Sequence, residues 1–115
     1  MFRGKLDHRS SVPLFEQTAA EIRRAIAGGE AKPGERLPPA KDLAAVLGVN
    51  TITVLRALRE LRDEGLLEFR RGRGITVAGT PEQGAVVEQT RSLVQFARRN
   101  GYSVERLIEL IQTLA

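Results

Sequence analysis

The sequence predicts a mainly α-helical fold with one small β-hairpin, a winged helix-turn-helix followed by a two-helix C-terminal dimerisation tail. Between residues 39 and 64, apolar side chains recur at helical spacing on both sides of Gly48, which can end a helix in the left-handed conformation. Two short β-prone runs then flank a turn of glycine and arginine at residues 71–74. Two short helices joined by a glycine-containing turn and followed by a basic hairpin are typical of a winged helix.

The composition limits the class of protein. With 115 residues, the chain has room for one ordinary domain and a small appendage, and 42% hydrophobic residues predict that it folds. The absence of cysteine excludes disulfides and thiolate metal sites. No run approaches the roughly 18 apolar residues of a membrane span, and the N-terminus lacks the apolar stretch of a signal peptide. These features predict a cytoplasmic protein with no membrane partner.

Positive charge is concentrated in the N-terminal two thirds of the chain. Residues 1–79 hold fourteen Lys or Arg against ten Asp or Glu, whereas residues 80–115 hold four of each. A basic excess on the predicted winged helix indicates a polyanionic partner, most simply double-stranded DNA. The expected segments are an N-terminal arm at 1–11, a winged-helix DNA-binding domain at 12–78, a hinge at 79–81 and a two-helix dimerisation region at 82–115.

The arm and the first helix open the chain. The arm is polar and carries Arg3, Lys5 and Arg9. We expect it to be loose, with the single histidine, His8, in solvent. An apolar stripe over residues 12–27 predicts the first helix, with Pro13 at its first position and a Gly-Gly pair after its end. This stripe is expected to pack on the two helices of the helix-turn-helix.

A turn and a short strand separate the first two helices. A Pro-Gly pair predicts the turn, and Leu37 is expected to lie in a short strand that pairs with the hairpin. Pro38 and Pro39 are expected to begin the second helix. Asn50 is expected to cap the third helix through its side-chain oxygen.

The tail begins with the hinge and a helix cap. Thr80, Pro81 and Gln83 have the spacing of a capping box, which predicts a fourth helix that runs to about Asn100. Ser103 is then expected to cap a fifth helix. Both helices carry an apolar stripe.

Two helices alone bury their apolar stripes poorly, so the tail needs a partner surface. One alternative is that the tail folds back on the winged helix. We favour pairing with the same helices of a second chain, because a two-fold dimer is the commonest oligomer and gives a DNA reader two half-sites. The expected dimer interface consists of Leu93, Phe96, Ala97, Leu107, Leu110, Ile111 and Leu114.

The winged-helix pattern assigns DNA contacts to two elements. The N-terminal residues of the third helix would meet base edges in the major groove. The hairpin tip would offer Arg71 and Arg73 to phosphates or to the minor groove. Arg59 and Arg62 can instead pair with the acidic residues that follow them along the helix.

Several short motifs over roughly residues 11–78 match one known family pattern, each at the spacing that the pattern requires. They are PLFEQ at 13–17, GEAKPGERLP at 29–38, LGV at 47–49, ALREL at 57–61, EGL at 64–66 and GRG at 72–74. In these motifs the chain resembles the GntR family of bacterial transcription regulators. The tail, with GYSVERL at 101–107, resembles the small YtrA-like subgroup. Members of that subgroup lack the family's large effector-binding domain and dimerise through this tail.

The resemblance implies DNA contacts at matching positions. Lys41 stands where the family has a phosphate-binding basic residue in its second helix. The positions that match the start of the recognition helix are Asn50, Thr51, Ile52 and Thr53, and those that match the wing tip are Arg71, Gly72 and Arg73.

Two positions of the third helix depart from the family pattern. Many members have arginine where this chain has Thr51 and Leu55, so guanine readout from the helix falls to Arg56 or Arg59. Alternatively, Ile52 and Leu55 meet thymine methyl groups, which is an apolar mode of base readout. Leu55 can equally belong to the core, because it lies beside the apolar stripe of the helix.

The expected function is that of a sequence-specific DNA-binding transcriptional regulator. Repression is the expected sign, and the expected site is a palindromic operator bound by a homodimer. An enzyme is disfavoured, because the chain has no cysteine, one histidine and no phosphate-binding loop. A winged-helix protein-interaction module without DNA binding is the remaining alternative. We expect no cofactor and no metal, and hypothesise that a small-molecule effector binds between the tail and the winged helix.

Overall fold

The computed structural model describes Phe2 and residues 5–115, so the arm residue Arg3 lies outside the described residues. The elements in chain order are α1 (Leu14–Ala27), α2 (Ala40–Leu47), α3 (Thr51–Asp63), β1 (Leu67–Arg70), β2 (Gly74–Val77), α4 (Pro81–Arg99) and α5 (Val104–Leu114). The predicted mainly helical fold, with one hairpin after the helix-turn-helix and two C-terminal helices, is confirmed. None of the helices in this described part is long and apolar enough to cross a membrane.

Helices α1, α2 and α3 form the core and the hairpin extends it. The completely buried side chains include Ile22, Ile26, Leu43, Leu58 and Leu61. Within each helix such residues recur at three- or four-residue spacing, so each helix turns one apolar stripe inward. Burial of a side chain of this size stabilises the fold by about 1.5–3 kcal/mol. The predicted packing of the first helix on the helix-turn-helix is confirmed.

The prolines at the starts of α1 and α2 lie before the helices and not inside them. Pro13 has ψ 144° and Pro39 has ψ 151°, both of which are extended. The predicted starts were therefore wrong by one or two residues, since α1 begins at Leu14 and α2 at Ala40. The proline ring restricts φ but leaves ψ open, and Pro39 also disfavours a helical Pro38 before it.

The turn between α2 and α3 has the predicted geometry. Gly48 ends α2 with φ 71°, a left-handed conformation that only glycine adopts without strain. Two residues later, the Asn50 side-chain oxygen accepts a hydrogen bond of 2.8 Å from the Ile52 backbone N–H. This cap starts α3 at a defined residue and orients its first turn.

Strands β1 and β2 form an antiparallel hairpin, with Leu67 opposite Val77 and Arg70 opposite Gly74. The Leu37 N–H donates to the Ile75 carbonyl oxygen at 2.8 Å, so the predicted pairing of Leu37 with the hairpin is confirmed. The hairpin is thereby attached to the segment before α2. Its tip, residues 71–73, extends away from the core.

The described part of the arm is attached to the helix-turn-helix, contrary to the loose arm expected from its composition. The Leu6 N–H donates to the Leu47 carbonyl oxygen at 3.0 Å. His8 Nε2 lies 2.8 Å from the Gly48 carbonyl oxygen, which can only accept, and the Lys5 ammonium donates to a carbonyl of α2 at 3.3 Å. The last carbonyls of a helix lack intrahelical partners, and the arm supplies donors to them.

The first half of α4 packs on α1. Gly84 is buried there, and a Cβ at this position would lie 3.1 Å from Ile26 Cγ2 and 3.2 Å from the Ala27 backbone nitrogen. With a Cβ here the neighbouring atoms would have to move by a few tenths of an ångström, so glycine favours this close approach of the two helices. The first half of α4 therefore folds back on the winged helix, which is the first of the two alternatives given for the tail.

The caps of the tail helices are confirmed. Thr80 Oγ1 accepts from the Gln83 N–H at 3.2 Å, and Gln83 Oε1 accepts from the Thr80 N–H at 2.8 Å, which completes the capping box. Ser103 Oγ accepts from the Arg106 N–H at 3.2 Å at the start of α5.

Candidate nucleic-acid interface

The first turn of α3 presents an exposed surface. Asn50, Thr51 and Ile52 are exposed and Thr53 is half-buried. Ile52 is 75% exposed, which is unusual for a side chain of this size and apolarity. The Asn50 side-chain oxygen accepts the cap bond, and the amide nitrogen of this side chain can donate to an outside acceptor.

The next arginine of α3 is held against an aromatic ring. The guanidinium carbon of Arg56 lies 3.6 Å from the centre of the Phe15 ring, a cation–π contact that joins α3 to α1. Leu55, between the first turn and Arg56, is half-buried and lies at the edge of the core. The N–H donors of Arg56 can still bind an outside acceptor, but the contact with Phe15 restricts where its guanidinium group points.

Pairing along the helix, one of the two alternatives for the later arginines of α3, forms for one of them. Arg62 Nε lies 3.3 Å from Asp63 Oδ1, so that pair is confirmed. Arg59 does not pair with Glu60, because Glu60 bonds to Arg91 of α4 instead. Arg59 is exposed and, within the described residues, has no carboxylate partner.

The hairpin tip is basic and exposed. Arg71, Gly72 and Arg73 are all exposed, and Gly72 has φ 78°. In the part of the chain that the structure describes, neither Arg71 nor Arg73 pairs with a carboxylate, whereas Arg70 is held by Glu68 at 3.1 Å. Two cations without internal partners at the end of a hairpin are available to an external anion.

Two further cations lie around these elements. Lys41 is exposed in the first turn of α2. Arg36 lies beside β2, and its side chain reaches toward the turn of the hairpin, where a Cβ at Gly74 would stand 3.1 Å from Arg36 Nε. The sequence reasoning did not single out Arg36. Since neighbouring residues of a strand point to opposite faces, the prediction of a strand at Leu37 could have indicated that Arg36 faces outward.

A buried ion-pair network holds α3 in place, and the sequence reasoning missed it. Arg23 of α1 is completely buried and donates two hydrogen bonds to Glu64, of 2.7 Å from Nε and 2.6 Å from Nη2. Arg91 of α4 donates to Glu60 at 2.6 Å. Burial alone lowers the pKa of Arg23, but the hydrogen bond and charge of Glu64 outweigh this, so the pKa lies above its ordinary value.

This network connects α4 of the tail to α3, the helix whose first turn carries the candidate DNA contacts. Glu60 of α3 and Glu64, the residue directly after α3, lie one turn apart, and they pair with Arg91 of α4 and Arg23 of α1. A signal for it exists in the sequence, because Arg23 interrupts the apolar stripe of the first helix and the two glutamates are spaced by four. Spacing within one helix does not reveal the partner on another helix.

An exposed helix start, a basic hairpin and a core of three helices define a winged-helix DNA-binding protein. Residues 14–77 match the family model described as bacterial regulatory proteins, gntR family. The chain belongs to the GntR family of bacterial regulators. It is therefore a DNA-binding transcriptional regulator and not an enzyme, and the reading as an interaction module without DNA binding is set aside.

Relatives and solved structures agree with this assignment. The chain is 32% identical to the HTH-type transcriptional repressor YtrA of Bacillus subtilis (strain 168), over 96% of this chain and 91% of that protein. It matches the structure of YtrA from Sulfolobus acidocaldarius, a GntR-family transcription factor, with 32% identity and a TM-score of 0.61, over 96% and 94% of the two chains. It also matches the AraR DNA-binding domain in complex with operator ORE1, with 31% identity and a TM-score of 0.57, over 68% and 95%.

Proposed function

We propose that this protein is a cytoplasmic repressor that binds a palindromic operator as a homodimer. The repressor role is supported by YtrA of Bacillus subtilis, which is similar over nearly its whole length and is described as a repressor. The AraR domain, bound to an operator, supports double-stranded DNA as the partner. The observation that supports the proposed homodimer is the exposed apolar surface of the tail.

We call this surface the tail face. It consists of Leu93, Phe96, Leu110, Ile111 and Leu114, which are 41–77% exposed. The other two residues of the expected interface, Ala97 and Leu107, are already buried within the single chain where α4 meets α5. Exposed apolar groups this close together favour a second copy of the chain as their cover. A two-fold axis brings the same patch of both chains together, so each tail face would bury the other.

The proposed DNA contacts divide into two roles. Thr51, Ile52, Thr53 and the amide nitrogen of Asn50 would meet base edges in the major groove. The residues assigned to phosphates or to the minor groove are Lys41, Arg56, Arg71, Gly72 and Arg73. If each subunit neutralises about four or five phosphates, affinity should fall by roughly 10³–10⁵ between 50 and 200 mM salt.

Light scattering and operator selection test the proposal. A dimer predicts a species of about 25 kDa, twice the 12.6 kDa of one chain. Phe96→Glu, which places a charge in the tail face, should give a monomer, whereas Val46→Glu at an exposed position of α2 should leave the mass unchanged. Selection of duplexes from a random library should enrich an inverted repeat. A wild-type monomer, or enrichment of a single half-site without its repeat, would refute the homodimer on a palindrome.

We further infer that an effector acts at the junction of arm, α1 and α4. A cleft of about 400 Å³ lies there, and its lining includes Asp7, Gln17, Arg23, Glu88, Arg91 and Gln95. Gln17 donates to the Asp7 carbonyl oxygen at 2.9 Å, so one wall of the cleft is the arm that contacts the helix-turn-helix. A ligand there could shift α4 against α1 and change the spacing of the two wings.

The effector proposal is tested by operator affinity with and without the small-molecule fraction of a cell extract. A change in affinity that is lost in Gln17→Ala would support the cleft. Gln89→Ala, an exposed position of α4 outside the cleft, serves as the matched control. Identical affinity under both conditions would refute an effector present in that fraction.

A further inference from the structure

An exposed position in the first turn of α3 carries an apolar side chain. Ile52 is 75% exposed, so this large β-branched side chain contributes little of the stabilisation that its burial in the core would give. Its backbone N–H is bound to Asn50 Oδ1 at 2.8 Å, which holds the position in the first turn. The side chain is therefore presented outward from a rigid helix start.

Three residues near Ile52, namely Asn50, Leu55 and Arg56, are less available for reading bases. The Asn50 side-chain oxygen accepts the cap bond, which ties this amide to the helix backbone and restricts how it can turn its donor and acceptor to an adenine edge. Arg56 lies 3.6 Å from the Phe15 ring centre, and Leu55 is half-buried. Ile52 is the fully presented apolar group among them.

We propose that Ile52 contacts the 5-methyl group of a thymine, so that each operator half-site requires a thymine under the first turn of α3. Thymine is the base that shows a methyl group in the major groove, and an apolar side chain favours it over cytosine at the same edge. This inference rests on the proposed insertion of α3 into the major groove and names the base that the helix selects.

The expected effect is modest and measurable. Removal of one buried methyl group should weaken binding about four-fold, which corresponds to about 0.8 kcal/mol. If two half-sites contribute independently, removal of both methyl groups should weaken binding about 15-fold. A contact through hydrogen bonds to the base would not depend on the methyl group.

The experiment replaces thymine by deoxyuridine in the duplex selected from a random library. Each thymine of the selected half-site is changed in turn, and the dissociation constant is measured for the wild type, Ile52→Ala and Val46→Ala. Val46 is 48% exposed on α2, so its variant removes apolar surface away from the first turn of α3. Both variants alter exposed side chains, so their Tm should equal that of the wild type.

We expect one thymine per half-site at which deoxyuridine weakens wild-type binding about four-fold. Ile52→Ala should abolish that sensitivity and Val46→Ala should keep it, because a double-mutant cycle isolates the pair. A selected site with no sensitive thymine, or a sensitivity that persists in Ile52→Ala, would overturn the contact while leaving operator binding intact. Failure to enrich any sequence would overturn the proposed operator binding, and this contact with it.

Discussion

Substitution of Arg23 tests the claim that a buried ion pair holds the recognition helix. Arg23→Ala would remove two hydrogen bonds to Glu64, of 2.7 and 2.6 Å, and leave this carboxylate facing a cavity. Loss of one partner of a buried pair costs about 3–5 kcal/mol. We expect the lower end, about 3 kcal/mol, because Glu64 keeps 18% of its side-chain surface in water and Arg91 Nη1 lies 3.8 Å from it.

Thermal and urea unfolding followed by circular dichroism measure this loss. For a chain of this size, 3 kcal/mol corresponds to a fall of about 12 °C in Tm, compared at equal protein concentration. Arg70→Ala is the control, since Arg70 and its partner Glu68 are each about half exposed at the surface. That control should scarcely change the unfolding midpoint.

Two further results sharpen the test of Arg23. Arg23→Met with Glu64→Gln should recover part of the loss of Arg23→Met alone, because the uncompensated charge is gone. Since the pKa of Arg23 is raised, its contribution is present below the ordinary arginine pKa and is lost only above it, so the effect of Arg23→Ala should be constant from pH 6 to 9. A loss below about 1 kcal/mol would refute the assigned role.

Three other substitutions have defined outcomes. Gly48→Ala places a Cβ at φ 71° and 3.1 Å from Lys5 Cδ, so it should destabilise the fold by about 1–2 kcal/mol in urea unfolding, and an unchanged midpoint would contradict the left-handed turn. Asn50→Ala should cost about 1 kcal/mol of stability through the lost cap, whereas Asn50→Ser should restore most of it. Arg73→Ala should leave stability unchanged, weaken selected and random duplexes alike, and lower the salt slope in filter binding by about two, one for each subunit of the proposed dimer. Loss confined to the selected duplex would instead indicate base readout by Arg73.

Local features of the fold follow from short-range sequence signals. Gly48 and Asn50 act within a few residues, and the Thr80–Gln83 capping box is closed by residues three apart. Such interactions need no partner from elsewhere in the chain, so sequence spacing is enough to predict them. The errors at Pro13 and Pro39 arise because a proline ring restricts φ and leaves ψ to the surroundings.

The candidate interface was predicted by the same kind of signal. The exposed start of α3 follows from apolar periodicity, which assigns the opposite face to solvent. The basic hairpin tip follows from the two β-prone runs that flank residues 71–74. Arg36 was missed because its outward direction depends on a strand of one or two residues that exists only through pairing with Thr76 and Ile75. Of the two alternatives for Arg59, pairing with Glu60 does not occur, because Glu60 has a partner on another helix.

The sequence by itself determined the order of the elements, the caps of α3, α4 and α5, and the placement of basic charge on the wing. Only the tertiary structure decided that Arg23 pairs with Glu64, that the arm contacts the end of α2 and that the first half of α4 folds onto α1 through Gly84. The physical reason is the range of the interactions. Helix periods and caps are local, whereas an ion pair or a glycine contact between helices depends on residues 41 or 58 positions apart meeting in space.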